Sequence, residues 1–154
     1  MHVVVDADVH AHGHGSPTGG AILITDGVLR FRNVNQNEAN RSIARRHNLA
    51  GQGFARLSFR LASSGVEASG DELALEVSAD GTNYTLLRQY TGSFTQRTEV
   101  FDISPYASAN TTIRFRIVNP FEDVEAWSVD NVNIDYAVGD TPLSFTPLGV
   151  YYDP

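Results

Sequence analysis

From Ala21 onward, the chain consists of short segments in which apolar and polar residues alternate, and turn-forming residues separate these segments. Residues 56–62 show the pattern most clearly, because Leu57, Phe59 and Leu61 share one parity while polar residues occupy the positions between them. A period of two is typical of a strand with one face in a core and the other in solvent. No segment has a convincing helical period. The alternation therefore predicts an all-β protein of packed antiparallel sheets.

Nine segments of this kind follow one another, with a spacing that is typical of a sandwich or barrel. We predict strands at 21–25, 28–33, 42–49, 56–62, 72–78, 84–90, 98–103, 112–118 and 126–136. Residues 1–20 are rich in His, Gly and Asp and are predicted to form a flexible leader. Residues 137–154 contain three prolines and are predicted to be a C-terminal tail or linker. The sandwich domain is thus expected at 21–136.

The alternation also predicts which side chains form the core. Apolar residues of matching parity in three central strands should face one another between the two sheets. These residues are Leu57, Phe59, Leu75, Val77, Phe115 and Ile117. The dipeptides Asp26-Gly27 and Asp80-Gly81 lie between alternating segments and favour hairpin turns, since Asp and Gly both tolerate a positive φ.

The last predicted strand contains a break in parity. Trp127 and Val129 share one parity, whereas Val132 and Ile134 share the other. The register must therefore change near residues 130–131, as a β-bulge would cause. A bulge exposes backbone carbonyl groups and turns a side chain to a new direction, and here that side chain belongs to an aspartate.

Composition excludes several classes of function. The chain has 154 residues, no cysteine and a formal net charge of −7, and all eleven of its basic residues are arginine. It therefore has no disulfide framework and no thiol nucleophile, and its acidic balance argues against nucleic acid as a partner. No apolar run has the ~20 residues of a membrane span, and no signal-peptide pattern is present. Serine-hydrolase, zinc-protease and phosphate-loop motifs are also missing, so we expect no enzymatic activity.

Several segments resemble one known group of modules. The resemblance rests on residues 57–60, 71–81, 101–106, 113–116 and 127–132, and it covers about 20–136. These segments are similar to strands of MAM-like and carbohydrate-binding-module-like jelly-roll domains in bacterial secreted proteins. The resemblance implies an antiparallel β-sandwich of jelly-roll type at an extracellular or cell-surface location. The cysteines of animal MAM domains are missing, which favours the bacterial relatives.

Sugar sites need exposed aromatic faces together with planar polar groups, and we select Tyr84, Trp127, Arg60 and Arg114 as ligand-binding candidates. Both the tryptophan and the arginines also have an interpretation that involves no ligand. As the only tryptophan, Trp127 could instead belong to the core. The alternating arginines of two strands could line one binding face, or they could form cross-strand ion pairs with Glu72 and Glu76.

The resemblance also implies a structural calcium ion, because related jelly rolls often hold calcium near the aspartate that matches Asp130. Calcium prefers several oxygen ligands, and Asp130, Asp71 and Asp26 are the candidate metal ligands. The alternative is that the Asp130 carboxylate caps a turn by accepting hydrogen bonds from nearby amides. His10, His12 and His14 could bind a transition metal, but in a flexible leader their spacing is more simply incidental.

Two classes of function remain. The first is a non-catalytic extracellular ligand-binding or adhesion module, whose most plausible partner is a carbohydrate or another cell-surface polymer. The second is a structural spacer or accessory domain of a larger exported enzyme or adhesin. In either case we expect other domains in the same chain, no membrane insertion and no nucleic-acid partner. An exposed groove lined by aromatic or arginine side chains would distinguish the binding module from the spacer.

Overall fold

The structure, a computed structural model, describes residues 22–32, 40–119 and 125–138. The predicted leader and residues 139–154 of the predicted tail lie outside this part of the chain. Within it, nine strands form two antiparallel sheets, which confirms the predicted all-β sandwich of jelly-roll type. In the part described, no helix has the length and apolarity that a membrane span requires.

The strands correspond one to one with the nine predicted segments. Their bounds are β1 Ile22–Thr25, β2 Val28–Arg32, β3 Ser42–His47, β4 Gln52–Ser64, β5 Glu72–Ser78, β6 Thr85–Tyr90, β7 Phe94–Asp102, β8 Thr111–Asn119 and β9 Ala126–Val138. A 3-10 turn, Ser104–Tyr106, follows β7. Both β4 and β7 begin four residues earlier than predicted, because their first residues pair with neighbouring strands without being alternately buried.

The strand order places the last strand near the middle of one sheet. The five-stranded sheet has the order β1-β2-β9-β4-β7, and the four-stranded sheet has the order β3-β8-β5-β6. All the strand pairings in the described part of the chain are antiparallel. Strand β9 therefore pairs with β2 on one side and with β4 on the other, and its last two residues extend past the predicted end of the sandwich at 136.

The core lies between the two sheets and is formed by the predicted inward-facing residues. All six are at most 4% exposed: Leu57, Phe59, Leu75, Val77, Phe115 and Ile117. The Phe115 ring packs against the rings of Phe31 and Phe59, which come from the opposite sheet. Burial of apolar area at about 25 cal/mol per Å² is the main force that holds two such sheets together. The parity prediction for these strands is confirmed.

The predicted β-bulge is present in β9. Asp130 pairs with Arg60 and Asn133 pairs with Ser58, so three residue steps on β9 match two on β4. Asn131 occupies the extra position with φ of 51°, in the left-handed region that Asn tolerates better than most residues. The bulge lets Val129 on one side and Ile134 on the other both face the core, as the sequence parity requires.

The two Asp-Gly dipeptides form turns of different length. Asp26 and Gly27 are the whole connection between β1 and β2, with φ of 53° and 78°, as a tight hairpin requires. Asp80 and Gly81 belong to a longer connection, residues 79–84, before β6. There the Asp80 carboxylate accepts hydrogen bonds from Asn83, through its backbone amide and its side chain, and from the backbone amide of Thr82, and these hydrogen bonds lower the pKa of Asp80.

Candidate functional site

The outer face of the four-stranded sheet carries a cluster of charged side chains around Glu76. Glu76 on β5 lies opposite Arg114 on β8, and its carboxylate accepts a hydrogen bond of 2.6 Å from Nε of Arg114. Arg116 approaches the same carboxylate with Nη2 at 2.6 Å and Nε at 3.1 Å. The parity that sends apolar neighbours inward directs these three residues outward, so they meet across two paired strands. The cross-strand ion pairing that was left open for Glu76 is therefore present.

This cluster is more enclosed than an ordinary surface ion pair. Glu76 is only 5% exposed, and Ala74, two residues earlier on the same face, is fully buried. Burial by itself raises the pKa of Glu76, but hydrogen bonds from Arg116 and Arg114 outweigh this and hold the pKa of Glu76 below its ordinary value. The hydrogen bond to Glu76 likewise raises the pKa of Arg116. Two arginine side chains from the neighbouring strand approach Glu76, which explains how a carboxylate on the outer face is nearly buried.

Arg114 also contacts an aromatic ring. Its guanidinium carbon lies 3.5 Å from the centroid of the Tyr84 ring, a cation–π contact at the end of the β5–β6 connection. Tyr84 is half-buried, and the neighbouring Leu86 and Gln89 of β6 are exposed, with Leu86 at 50%. The structure thus brings together two of the predicted ligand-binding residues, Tyr84 and Arg114, on one face.

Hydrogen bonds to amide side chains extend this polar face in two directions. Arg116 donates from Nη1 to Oδ1 of Asn40 at 3.2 Å, and Asn119 donates from Nδ2 to Glu72 at 3.1 Å. The face therefore presents an aromatic ring, guanidinium groups, a carboxylate and amides. Leu86 and Gln89 are not among the predicted ligand-binding residues. The alternation of β6 could not have identified them, because a register shift opposite Leu75 and Glu76 interrupts it.

The remaining ligand-binding candidates lie elsewhere. Trp127 is fully buried and packs against Tyr90 and Phe94. Its ring cannot contact a ligand, so the prediction that Trp127 binds one is wrong, and the alternative that it belongs to the core is correct. Arg60 is exposed on the outer face of the five-stranded sheet, between Thr98 of β7 and Asp130 of β9. Since Arg60 and Arg114 belong to opposite sheets, the arginines of β4 and β8 do not line one common face.

The predicted metal ligands do not lie together either. The Asp130 carboxylate accepts a hydrogen bond of 2.7 Å from the amide of Asn131, which is the turn-capping alternative. Asp71 is buried at the start of β5 and accepts a hydrogen bond from the amide of Glu67. Asp26 is exposed in the β1–β2 turn. Among the described residues, no group of three or more His, Asp or Glu side chains is placed to hold a metal ion, and His10, His12 and His14 lie outside those residues.

This chain is similar to known proteins in its structure and not in its sequence. No protein-family model matches the chain, and no curated protein matches it. A family 29 carbohydrate-binding module complexed with cellulohexaose is similar in structure, with a TM-score of 0.50, 10% identity and coverage of 75% of this chain and 73% of that chain. An adhesin domain of Lys-gingipain from Porphyromonas gingivalis has a TM-score of 0.51, 12% identity and coverage of 70% and 73%.

A third similar structure is a much longer chain. The secreted serine protease VesC from Vibrio cholerae has a TM-score of 0.52 at 15% identity, and the match covers 74% of this chain but 23% of the protease. At such identities a structural likeness establishes the fold alone. The chain therefore has the β-sandwich fold that is shared by carbohydrate-binding modules and an adhesin domain.

Proposed function

We propose that the chain is a non-catalytic, extracellular or cell-surface module that binds carbohydrate on the outer face of its four-stranded sheet. The observation that carries the proposal is the contact between Arg114 and Tyr84, since it places an aromatic ring and a fixed hydrogen-bond donor on one exposed face. The fold that this chain shares with a module complexed with cellulohexaose supports the same function.

The chemistry of this face suits a sugar. A sugar ring offers apolar C–H groups and hydroxyl groups, so it needs apolar contact area with hydrogen-bonding groups at its edge. Tyr84 and the exposed Leu86 supply the apolar area, and Gln89 supplies an amide. Arg114 donates a hydrogen bond from Nε to Glu76. No described residue accepts a hydrogen bond from its two terminal nitrogens, so these nitrogens can donate to a sugar hydroxyl.

The buried carboxylate of Glu76 fixes the donors of this face before any ligand arrives. Both Arg114 and Arg116 are held to Glu76 by hydrogen bonds of 2.6 Å. Ordering a side chain on binding costs about 0.5–1.5 kcal/mol in lost conformational entropy. A guanidinium group that is already ordered avoids most of this cost. The ion pairs of this face therefore support ligand binding by preorganisation.

The module is proposed to act as part of a larger exported protein. The similar segment of the Vibrio protease makes up 23% of a longer chain, which supports an accessory role beside other domains. A spacer with no ligand is the second candidate. The half-buried Tyr84–Arg114 pair on the outer face favours the binding module over the spacer, because a spacer has no need of such a face.

Binding to a panel of soluble polysaccharides tests the proposal. We expect at least one micromolar ligand among the neutral glucan, mannan, galactan and chitin classes, and we expect Tyr84→Ala to abolish its binding. Tyr136→Ala is the matched control, because Tyr136 is 47% exposed on the other sheet. A panel without any ligand, or equal losses in the two variants, would favour the spacer.

A further inference from the structure

A second charged cluster lies where the edges of the two sheets meet. Strand β6 is the edge of the four-stranded sheet, and β7 is the edge of the five-stranded sheet. Glu99 on β7 points between the sheets, since it pairs with the core residue Phe59. Its carboxylate lies 2.6 Å from Nε of Arg97 and 3.4 Å from Nη1 of Arg88. One carboxylate thus faces two guanidinium groups, which leaves this cluster with a net positive charge.

The edge cluster differs from the cluster around Glu76 in how open it is. Both carboxylates are nearly buried, since the Glu99 side chain is 9% exposed and that of Glu76 is 7% exposed. The side chains of Arg88 and Arg97, however, are 53% and 46% exposed, against 24% for the two arginines around Glu76. The edge arginines are therefore only partly committed to their carboxylate and retain donors that face solvent.

Aromatic rings hold the edge arginines in place. The guanidinium carbon of Arg97 lies 3.9 Å from the centroid of the Phe94 ring, and that of Arg88 lies 5.7 Å from the centroid of Phe101. A guanidinium group beside a ring can still donate from the edge of its plane, and two N–H groups on such an edge match the two oxygens of a carboxylate. The rings also provide apolar surface beside the charges.

A buried hydroxyl lies beneath the same cluster. Tyr90 is 1% exposed, and the guanidinium carbon of Arg97 lies over its ring, 5.7 Å from the centroid. Burial, followed by the negative charge of Glu99, raises the pKa of Tyr90, so the phenol stays neutral at every physiological pH. No second negative charge therefore arises beneath Arg88 and Arg97, and the cluster remains positive.

From this geometry we propose that the β6–β7 edge binds a carboxylate group of an acidic, uronate-containing polysaccharide, bridged by Arg88 and Arg97. The single negative charge of a carboxylate would neutralise the single excess positive charge of the cluster. Its two coplanar oxygens can accept two parallel hydrogen bonds from a guanidinium group. The sugar ring that carries the carboxylate would lie against the apolar surface beside the arginines. The net charge of −7 does not prevent this, because charges more than about 8 Å away are screened at physiological ionic strength.

The test compares an acidic oligosaccharide with its neutral ester and with two carboxylates that carry no sugar. Titration calorimetry on the full chain would use oligogalacturonate, its fully methyl-esterified form, sodium acetate and polyglutamate. We expect oligogalacturonate to bind, and we expect its affinity to fall as the salt concentration increases. Its methyl ester should not bind. Tighter binding of oligogalacturonate than of acetate would show that the sugar ring contributes. If polyglutamate bound equally well, the edge would recognise carboxylates without regard to sugar, and the polysaccharide proposal would be wrong.

Matched variants locate the binding. Arg88→Gln should weaken oligogalacturonate binding roughly tenfold or more, since it removes a charged hydrogen-bond donor. It should also leave the fold intact, because the Arg88 side chain is half-exposed and its distance to Glu99 is long, at 3.4 Å. Arg56→Gln, on the outer face of the five-stranded sheet, is the control for the loss of one charge, and it should bind normally.

The same measurements separate this proposal from the one made for the sheet face. If Tyr84→Ala abolishes oligogalacturonate binding while Arg88→Gln binds normally, the acidic sugar occupies the sheet face and the edge site is disproved. If Arg88→Gln loses the acidic ligand and keeps every neutral ligand of the polysaccharide panel, the two sites are distinct and the edge proposal holds. Unchanged oligogalacturonate binding in Arg88→Gln would overturn the edge site in any case.

Discussion

Phe59 and Phe115 meet edge to face between the two sheets, with ring centroids 5.2 Å apart and ring planes at 89°. Phe59 belongs to the five-stranded sheet and Phe115 to the four-stranded sheet. Phe59 also stacks on Phe101 of the neighbouring strand, with centroids 6.1 Å apart. Because aromatic pairs contribute beyond the area that they bury, this contact is a principal link between the sheets.

Phe115→Ala should lower the free energy of unfolding by about 3–5 kcal/mol, because it leaves a cavity where three rings now pack. Urea denaturation followed by circular dichroism measures the change. Val100→Ala is the control, since Val100 is 55% exposed and should change stability by about 0.5 kcal/mol or less. A loss below about 1 kcal/mol for Phe115→Ala would mean that the sheets do not depend on this ring.

Glu76→Gln should destabilise the protein in a pH-dependent way. Because the folded state holds the pKa of Glu76 below its unfolded value of about 4.3, the ionised carboxylate adds stability above that pH. This contribution disappears as the pH falls through the lower, folded pKa. We expect a loss of about 1.5–3 kcal/mol at pH 7 that shrinks steadily below about pH 4.

Chemical denaturation of wild type and Glu76→Gln at pH 7, 5, 4 and 3 measures this dependence. Glu72→Gln is the matched control on the same strand and face, where one hydrogen bond from Asn119 is exposed. It should cost about 0.5 kcal/mol or less at pH 7. If the deficit of Glu76→Gln were equal at all four pH values, the charge of Glu76 would contribute nothing to stability.

The bulge residue Asn131 should tolerate glycine but not a β-branched side chain. Its φ of 51° is strained for most residues, so Asn131→Val should cost about 1–2 kcal/mol, while Asn131→Gly should be close to neutral. Asn133→Val, two residues along the same strand, is the control because Asn133 has no positive φ. Equal unfolding free energies for the two valine variants would show that the bulge rearranges without cost.

The emission of Trp127 should report the core and not the ligand. As the only tryptophan, and with no exposed surface, it should emit at short wavelength, resist quenching by iodide and shift to longer wavelength on unfolding. Carbohydrate binding on the outer face should leave this emission unchanged. A ligand-induced shift that is lost in Tyr84→Ala would mean that binding at the sheet face is transmitted to the core.

A structural calcium ion near Asp130 stays a prediction. If calcium binds only the folded state, a hundredfold excess over its dissociation constant should add about 2.7 kcal/mol of stability. EGTA should then lower the Tm, calcium but not magnesium should restore it, and Asp130→Ala should remove the response. A melting curve that ignores both EGTA and calcium would leave Asp130 as the residue that caps the Asn131 amide.

The fold could be predicted because its core depends on parity. Alternation in β4, β5 and β8 identified six core residues, and the parity break in β9 identified the bulge, since both follow from a period of two. The extra residues at the beginning of β4 and β7 could not be predicted in this way. They pair with neighbours through backbone groups, which leave no pattern in the sequence.

The candidate site could be predicted only in part, because parity places a residue on a face but does not identify the sheet. Arg60 and Arg114 both alternate with core residues, yet strand order puts them on opposite faces of the sandwich. Burial of Glu76 escaped prediction because it depends on two arginines from another strand. The Arg88–Glu99 contact joins the edges of two sheets, and no local pattern reports such a meeting.

The central place of β9 has a consequence for biosynthesis. Ribosomes make a chain from its N-terminus, so β2 and β4 emerge long before the strand that lies between them, and the Arg56–Asp135 pair joins positions 79 residues apart. Such distant pairing makes folding slow, and the five-stranded sheet cannot be completed until β9 has been made. Nascent chains that stop short of β9 should therefore expose two open strand edges, which makes premature termination products prone to aggregate and to proteolysis.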